Sequence, residues 1–558
     1  MNRMDPDQRT DAPDLRGPDL VMRLSRMGSA HPMRLSFLRV LLRRIAREGW
    51  HFDRPVWQVD GHGIGRAVYR ARGPERTYSL VAFAHHLPDE MRSDRVIATA
   101  WDATFALVDG EAGPDDLDRL AANVPLQEAG RISGKELCLS RANRSVRLFA
   151  HVVDRLSRGL QPDAAEIDAV GYLMRTTAVY GSGKFGAADR EEISDRPEMK
   201  APFQAEMLSV WLIRAFTVDI AEHLAQVRAQ VCGGPDAVRL DRDLRRRLGV
   251  GNSTGLGMAP FLVRHPALLN AWMTARETAL ARVRALPDAG PAELAAFDSA
   301  LTAARQNADL WHSTHPAQLA KLALLRADLA RLADHVGSGW RIGAPRPWDA
   351  LWSWGAALLS EEGQECLLAL MLEPHGALVD DLADRLDTDE PPCFAIDGAM
   401  TVGQLRRLLA ADYGWTRRFD FADQAQTARF WYVSEEKLEP RLGNRHAEAG
   451  QEREKPLGIA RAVATLQEAL ADRADAERLA SFLLAHPEHR HTVRRIQMLQ
   501  GLPYAEIRDN LLDEGMLPID ILRCKLAFFG ATRFDPRSDR WVRISLFQDM
   551  PYPDEICA

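Results

Sequence analysis

Apolar and polar positions follow two different rhythms along this chain. Over Met33 to Ile45 (MRLSFLRVLLRRI) the apolar residues recur at helical spacing, opposed by Arg34, Arg39, Arg43 and Arg44, which predicts an amphipathic helix. The rhythm then shortens. The runs VWQVDGHGIGRAVYRA, TYSLVAFAHHL and RVIATAWDATFALVDG are rich in β-branched and aromatic residues, show period-two stretches and are bounded by Gly and Pro. They predict a small antiparallel meander over residues 56–109. From residue 114 the helical period returns. It predicts helices over Asp115–Asn123, Leu139–Ser157, Ala164–Ala178, Phe203–Ala229, Pro266–Ala285, Ala292–Asn307, Pro316–His335, Trp348–Leu359 and Ile459–Leu470. Pro114-Asp115, Pro162-Asp163 and Pro291 supply start signals. The closing stretch GATRFDPRSDRWVRISLFQDMPYP reads as a strand or hairpin docked on a neighbour.

The expected fold is therefore mostly α, a large multi-helix protein with a small antiparallel β module near the N-terminus. Four regions are expected. Residues 1–20, rich in Asp, Arg and Pro, read as a disordered tail. Residues 21–113 form an α+β module and residues 114–345 a helical domain with glycine-rich loops. Residues 346–558, beyond the Pro345/Pro347 seam, form a second helical domain with a mixed C-terminal segment. Phe105–Ala122 and Cys393–Ala410 echo each other as strand, Asp-Gly turn and helix, a layout that either a diverged duplication or a common structural unit produces.

Composition narrows the class. With 46% hydrophobic and 27% charged residues the chain is ordinary globular protein, neither disordered nor a rod. No stretch approaches the roughly 18 apolar residues of a membrane span, and the polar opening segment is no secretory signal. The expectation is a soluble, cytoplasmic protein without membrane association. A net charge of −7 argues against nucleic acid as partner. The six cysteines form no C-x-x-C pair, so neither a disulfide framework nor a structural zinc site is expected. The histidines lack metal-ligand spacing. No metal site is assigned, and the sequence names no cofactor.

Lysine is scarce. Of 71 basic residues only seven are Lys: Lys135, Lys184, Lys200, Lys321, Lys437, Lys455 and Lys525. In an arginine-biased chain the surviving lysines are weakly enriched at positions that need a point charge or a titratable amine. Two of them fall in segments that also carry other chemistry.

The first such segment is RTTAVYGSGKFG, Arg175 to Gly186. Its glycines let backbone N–H groups converge on an anion, Lys184 adds a cation, and Tyr180 and Ser182 supply hydroxyls beside Arg175. Gly181, Gly183 and Gly186 spell G-x-G-x-x-G, but the upstream residues read as helix, so a dinucleotide fold is disfavoured. The second is LGVGNSTGLGMAPF, Leu248 to Phe261. Its four glycines interleave Asn252, Ser253 and Thr254, and it reads as a long binding loop. The letters G-x-S-x-G around Ser253 lack the preceding strand of a nucleophile elbow. The third is FWYVSEEKLEPRLG, Phe430 to Gly443, where three aromatics lead into Ser434, Glu435, Glu436, Lys437 and Arg441. Glu435 or Glu436 suits proton transfer, and Lys437 suits pairing with a carboxylate or work as an amine base. Arg141, Arg144 and Arg147 recur every three residues on an expected helix and line either an anion site or a basic stripe. His85-His86 close a predicted strand, with one of them facing inward.

These segments favour a soluble enzyme that binds a small anionic metabolite, a carboxylate or phosphate, in a cationic pocket lined by glycine loops. Lys184, Tyr180, Glu435, Glu436 and Lys437 are the expected catalytic residues. Arg175, Ser182, Asn252, Ser253, Thr254, Ser434 and Arg441 are the expected substrate-binding residues. Acid–base chemistry of lyase, isomerase or transferase type leads over a Rossmann dehydrogenase or a triad hydrolase. The alternative is a non-enzymatic helical assembly or regulatory protein, and homo-oligomers fit either reading. Convergence of Lys184, Asn252 and Lys437 in one hollow would separate the two.

Overall fold

The alternation read in residues 56–109 builds four antiparallel strands: β1 (His51–Val59), β2 (Gly65–Arg72), β3 (Thr77–Ala84) and β4 (Ala103–Asp109). The computed structural model describes residues 14–88, 100–125, 133–178, 196–254, 266–312, 316–339, 345–386, 396–418, 458–506, 518–535 and 542–556. Within them the meander is only the first part of a nine-stranded sheet, completed by β5 (Glu136–Arg144), β6 (Tyr172–Thr176), β7 (Gly249–Thr254), β8 (Arg533–Asp535) and β9 (Val542–Leu546). The spatial order is β1-β2-β3-β4-β5-β6-β7-β9-β8. The C-terminal stretch is a hairpin, as expected, with β9 seated against β7.

The main helices are α1 (Phe37–Glu48), α2 (Pro114–Ala121), α3 (Leu148–Ser157), α4 (Ala164–Val170), α5 (Gln204–Cys232), α6 (Arg242–Arg246), α7 (Pro266–Arg284), α8 (Pro291–Asp309), α9 (Pro316–Gly337), α10 (Pro347–Leu358), α11 (Glu361–Leu372), α12 (Val402–Asp412), α13 (Gly458–Leu470), α14 (Leu479–Ala485), α15 (Arg490–Met498) and α16 (Pro518–Phe529). The chain is thus largely α with a β module. The module is mixed rather than purely antiparallel, and it draws strands from both ends of the chain.

Two predicted helices are half wrong. Leu139–Ser157 splits into β5 and α3, and Ala164–Ala178 splits into α4 and β6. Gly171, at φ +78°, ends α4 and turns the chain into β6. Both strands are buried on both faces. Their polar-apolar alternation is therefore weak, and a continuous apolar run is read as helix as easily as strand.

α5 explains the curl of the sheet. Apolar along most of its circumference, it must be covered on all sides. Phe216 packs against Trp57 of β1, Tyr69 of β2 and Phe105 of β4, with ring centroids 5.3–6.4 Å apart. One face of the sheet therefore lines α5, through Leu80, Ala82, Leu107, Cys138 and Ala142. The outer face carries Val81, Phe83, Ala106, Val108 and Leu139 under Leu117 and Leu120 of α2. The pair β6/β7 is parallel, and α5 makes the crossover between them.

Charged groups close the two ends of the main core. Residues 14–20, the end of the segment read as a tail, are mostly exposed, but they are tied to the core through Arg16. Arg16 is buried and bridges Glu277 of α7 and Glu365 of α11 at 2.8 Å each, and the Tyr504 hydroxyl donates to its carbonyl. At the other terminus the Tyr552 ring lies between the guanidinium groups of Arg214 (3.8 Å) and Arg245 (4.0 Å). Arg214, fully buried, donates to the carbonyls of Leu248, Arg246 and Met550, while Arg245 pairs with Asp554. Trp348 and Trp352 are buried packing anchors. A second, smaller core gathers α12–α15, with Val402, Leu405, Leu466, Phe482 and Ile496. Of the two echoing segments, the Asp397-Gly398 turn and α12 match Asp109-Gly110 and α2, while 393–395 lie outside the described residues.

Candidate functional site

The segment read as a glycine-rich loop is in part a strand. β7 pairs in parallel with β6 and antiparallel with β9, so its backbone groups are satisfied by ladders rather than by an anion. Its glycines answer to packing. A Cβ on Gly249 would stand 2.4 Å from the Leu546 carbonyl oxygen, and one on Gly251 would stand 2.6 Å from the Tyr172 ring. Ser253 and Thr254 are the last residues of β7, opposite Arg543 and Val542 of β9. A strand does precede the G-x-G-x-x-G string, contrary to the helix expected there. β6 ends at Thr176, and the glycines themselves lie outside the described residues.

Of the remaining candidates, Tyr180, Ser182 and Lys184 fall in 179–195, and Ser434, Glu435, Glu436, Lys437 and Arg441 fall in 419–457, both outside the described residues. Arg175 and Asn252 are described, and both lie on the parallel pair. In open α/β sheets ligands gather at the carboxyl ends of such strands.

Asn252 is buried on the inner face. Its Nδ2 donates to the Thr176 carbonyl at 2.8 Å, and its Oδ1 accepts from Lys525 Nζ at 2.5 Å. Lys525, on α16, is itself buried, and its ammonium lies 5.8 Å from the Phe529 ring. The scarcity of lysine was the one sign of Lys525 in the sequence. A compact ammonium fits where one side-chain oxygen must be met end-on.

Arg175 is buried on the outer face, directly across from Asn143 of β5. Two positions back on β5, on the same face, Arg141 stands across from Thr104 of β4. Arg141 and Arg144 are thus strand residues, not members of a helical stripe, and the three-residue spacing puts them on opposite faces. Arg147, at the start of α3, is exposed. The Arg141 guanidinium lies 4.6 Å over the Trp101 indole, whose Nε1 donates to the Pro125 carbonyl. Thr177 Oγ1 accepts from the Arg141 backbone N–H at 3.2 Å. Asn143 Oδ1 accepts from the Asp102 N–H, and Asp102 Oδ2 accepts from the Arg144 N–H. These bonds fix the start of β4 against the end of β5.

His85 completes the row. Its Nε2 lies 2.8 Å from Thr104 Oγ1. Burial holds its pKa below the ordinary imidazole value, while the Asp102 carboxylate pulls weakly the other way. The outer face at the end of β6 therefore carries two arginines, a neutral imidazole and an indole, with the Thr104 hydroxyl engaged by His85 and the Thr177 hydroxyl by the Arg141 backbone. That set can hold a small anion and hydrogen-bond to its oxygens. Thr104, Thr177 and Trp101 escaped the sequence reading because their partners come from other strands. Only the alternation D-x-T at 102–104 marks the shared face.

Among the described residues no group of three His, Cys, Asp or Glu side chains forms a metal site, and no helix is long and apolar enough to cross a membrane. No protein-family model, curated protein or solved structure matches this chain.

Proposed function

We propose that the chain is a soluble cytoplasmic enzyme that binds a small anionic metabolite, a carboxylate or phosphate, on the outer sheet face at the carboxyl end of β6. Arg141 and Arg175 supply the cations, and His85 the hydrogen-bonding group. The observation that carries this reading is one of register. Thr104 faces Arg141, and Asn143 faces Arg175, so residues far apart in sequence place both guanidinium groups on one face of three adjacent strands. In this reading the catalytic groups of a lyase, isomerase or transferase are those expected from the sequence, Lys184, Tyr180, Glu435, Glu436 and Lys437.

A thermal-shift screen with carboxylates, sugar phosphates and nucleotides tests it. A ligand that binds only the native state stabilises by about 2.7 kcal/mol at one hundred times its Kd. At least one anion is expected to raise the melting temperature of the wild type, and Arg141→Met is expected to cancel the shift while keeping the wild-type circular dichroism spectrum. No shift with any anion at millimolar concentration defeats the proposal.

A further inference from the structure

Thr104 is fully buried, and a buried hydroxyl proton needs an acceptor. Among the described residues the one partner of the Thr104 hydroxyl is His85 Nε2, at 2.8 Å. The hydroxyl therefore donates, Nε2 accepts, and the single imidazole proton sits on Nδ1. Were Nε2 to carry the proton instead, Thr104 would accept it and its own proton would be left buried without a partner, which is unfavourable. His85 is half-buried, and no described residue bonds its Nδ1.

We infer that Thr104 locks His85 as the neutral Nδ1–H tautomer, and that this N–H is an uncharged hydrogen-bond donor to an oxygen of the anion held by Arg141 and Arg175. A neutral donor suits this place. The two guanidinium groups already balance the ligand's charge, and a third cation among them would meet repulsion. The charged and titratable groups around the ring are Asp102 just before β4, Arg141 on β5 and the adjacent His86; Arg175 on β6 lies one strand further. The ligand half of the inference rests on the proposed function. The tautomer does not.

The test is long-range ¹H–¹⁵N spectroscopy of full-length protein labelled in its histidine rings, with the His85 signals assigned by their loss in His85→Gln. The wild type and Thr104→Ser are expected to show a protonated Nδ1 and an unprotonated Nε2. Thr104→Val is expected to shift the ring toward the Nε2–H form and raise its pKa. Inorganic phosphate is expected to move the wild-type Nδ1 signal, with an apparent affinity at least about tenfold weaker in Arg141→Met. An Nε2–H form in the wild type overturns the inference, as does a tautomer indifferent to Thr104→Val. If Thr104→Val does not fold, the wild type and Thr104→Ser spectra decide the same point. The expected tautomer combined with silence toward phosphate overturns the ligand half and the proposed anion face, and leaves the Thr104 lock standing.

Discussion

The ammonium of Lys525 stands 2.5 Å from the side-chain oxygen of Asn252, and the amide of the same Asn252 holds the Thr176 carbonyl at 2.8 Å. One helix residue thereby fixes the relative position of the two parallel strands. Lys525→Met removes the donor and leaves a buried amide oxygen unpaired, which costs about 1–3 kcal/mol. Lys525→Arg is not expected to restore it, because a planar fork does not fit the space of an end-on ammonium. Urea unfolding of the three proteins measures the difference, and equal midpoints would show that Lys525 contributes nothing to this contact.

Gly251 permits the Tyr172 ring to lie against the β7 backbone. The added methyl of Gly251→Ala meets that ring at 2.6 Å, so the variant is expected to lose about 1–3 kcal/mol through overpacking. The double variant Gly251→Ala/Tyr172→Ala is expected to lose less than the sum of the two single changes, since the second removes what the first collides with. A double-mutant cycle by chemical denaturation checks the coupling. Strict additivity would mean that the backbone, not the ring, absorbs the methyl.

Glu277 sits between Arg16 and Arg276. Burial alone would raise its pKa, but the two guanidinium groups overcome that and hold it below the ordinary carboxylate value. A depressed folded-state pKa means stability that is full above the unfolded value of about 4.3 and drains away as pH falls through the folded one. Stability is thus expected to be insensitive to this group between pH 7 and 5 and to fall below about pH 4.3. Glu277→Gln is expected to be less stable at pH 7 and to show a shallower acid slope. Parallel acid slopes in denaturant titrations of the two proteins would remove Glu277 from the account.

Tyr552, between Arg214 and Arg245, anchors the C-terminal segment. Its hydroxyl donates toward the Arg245 and Leu248 carbonyls, at 3.0 and 3.2 Å. Tyr552→Phe is expected to cost about 1 kcal/mol, the scale of one hydrogen bond. Tyr552→Ala is expected to cost about 3–5 kcal/mol, as for other buried aromatics, and to expose the segment after Leu546 to proteolysis. Calorimetry and timed digestion read the two effects separately.

How much of this was legible depended on whether an element's signal was local. α5 was readable over Phe203–Ala229 because its apolar run is long, and the C-terminal hairpin because RWVRISLF alternates between turn residues. β5 and β6 were misread because burial on both faces erases period two. β7 was misread because Gly249 and Gly251 serve close packing that only the folded neighbours, Leu546 and Tyr172, reveal. At the site, Arg175 is legible in the sequence, though for a loop chemistry that β6 replaces, while Asn252 faces inward to Lys525. Thr104 and His85 meet only because β3 and β4 pair in register, and no spacing along the chain announces that contact.

The hairpin β8/β9 leaves the ribosome long after β7, yet it covers an edge made by β7, less than halfway along the sequence. Throughout synthesis of everything between, that edge has no mate and exposes a row of open amides and carbonyls, the kind of template on which nascent chains stick to one another. Glycine at alternate positions makes β7 a poor competitor for stray strands, so the same residues that admit Tyr172 also keep the waiting edge quiet until β9 arrives. Yield of folded protein should therefore depend on the speed and completeness of translation more than the equilibrium stability of the finished molecule would suggest.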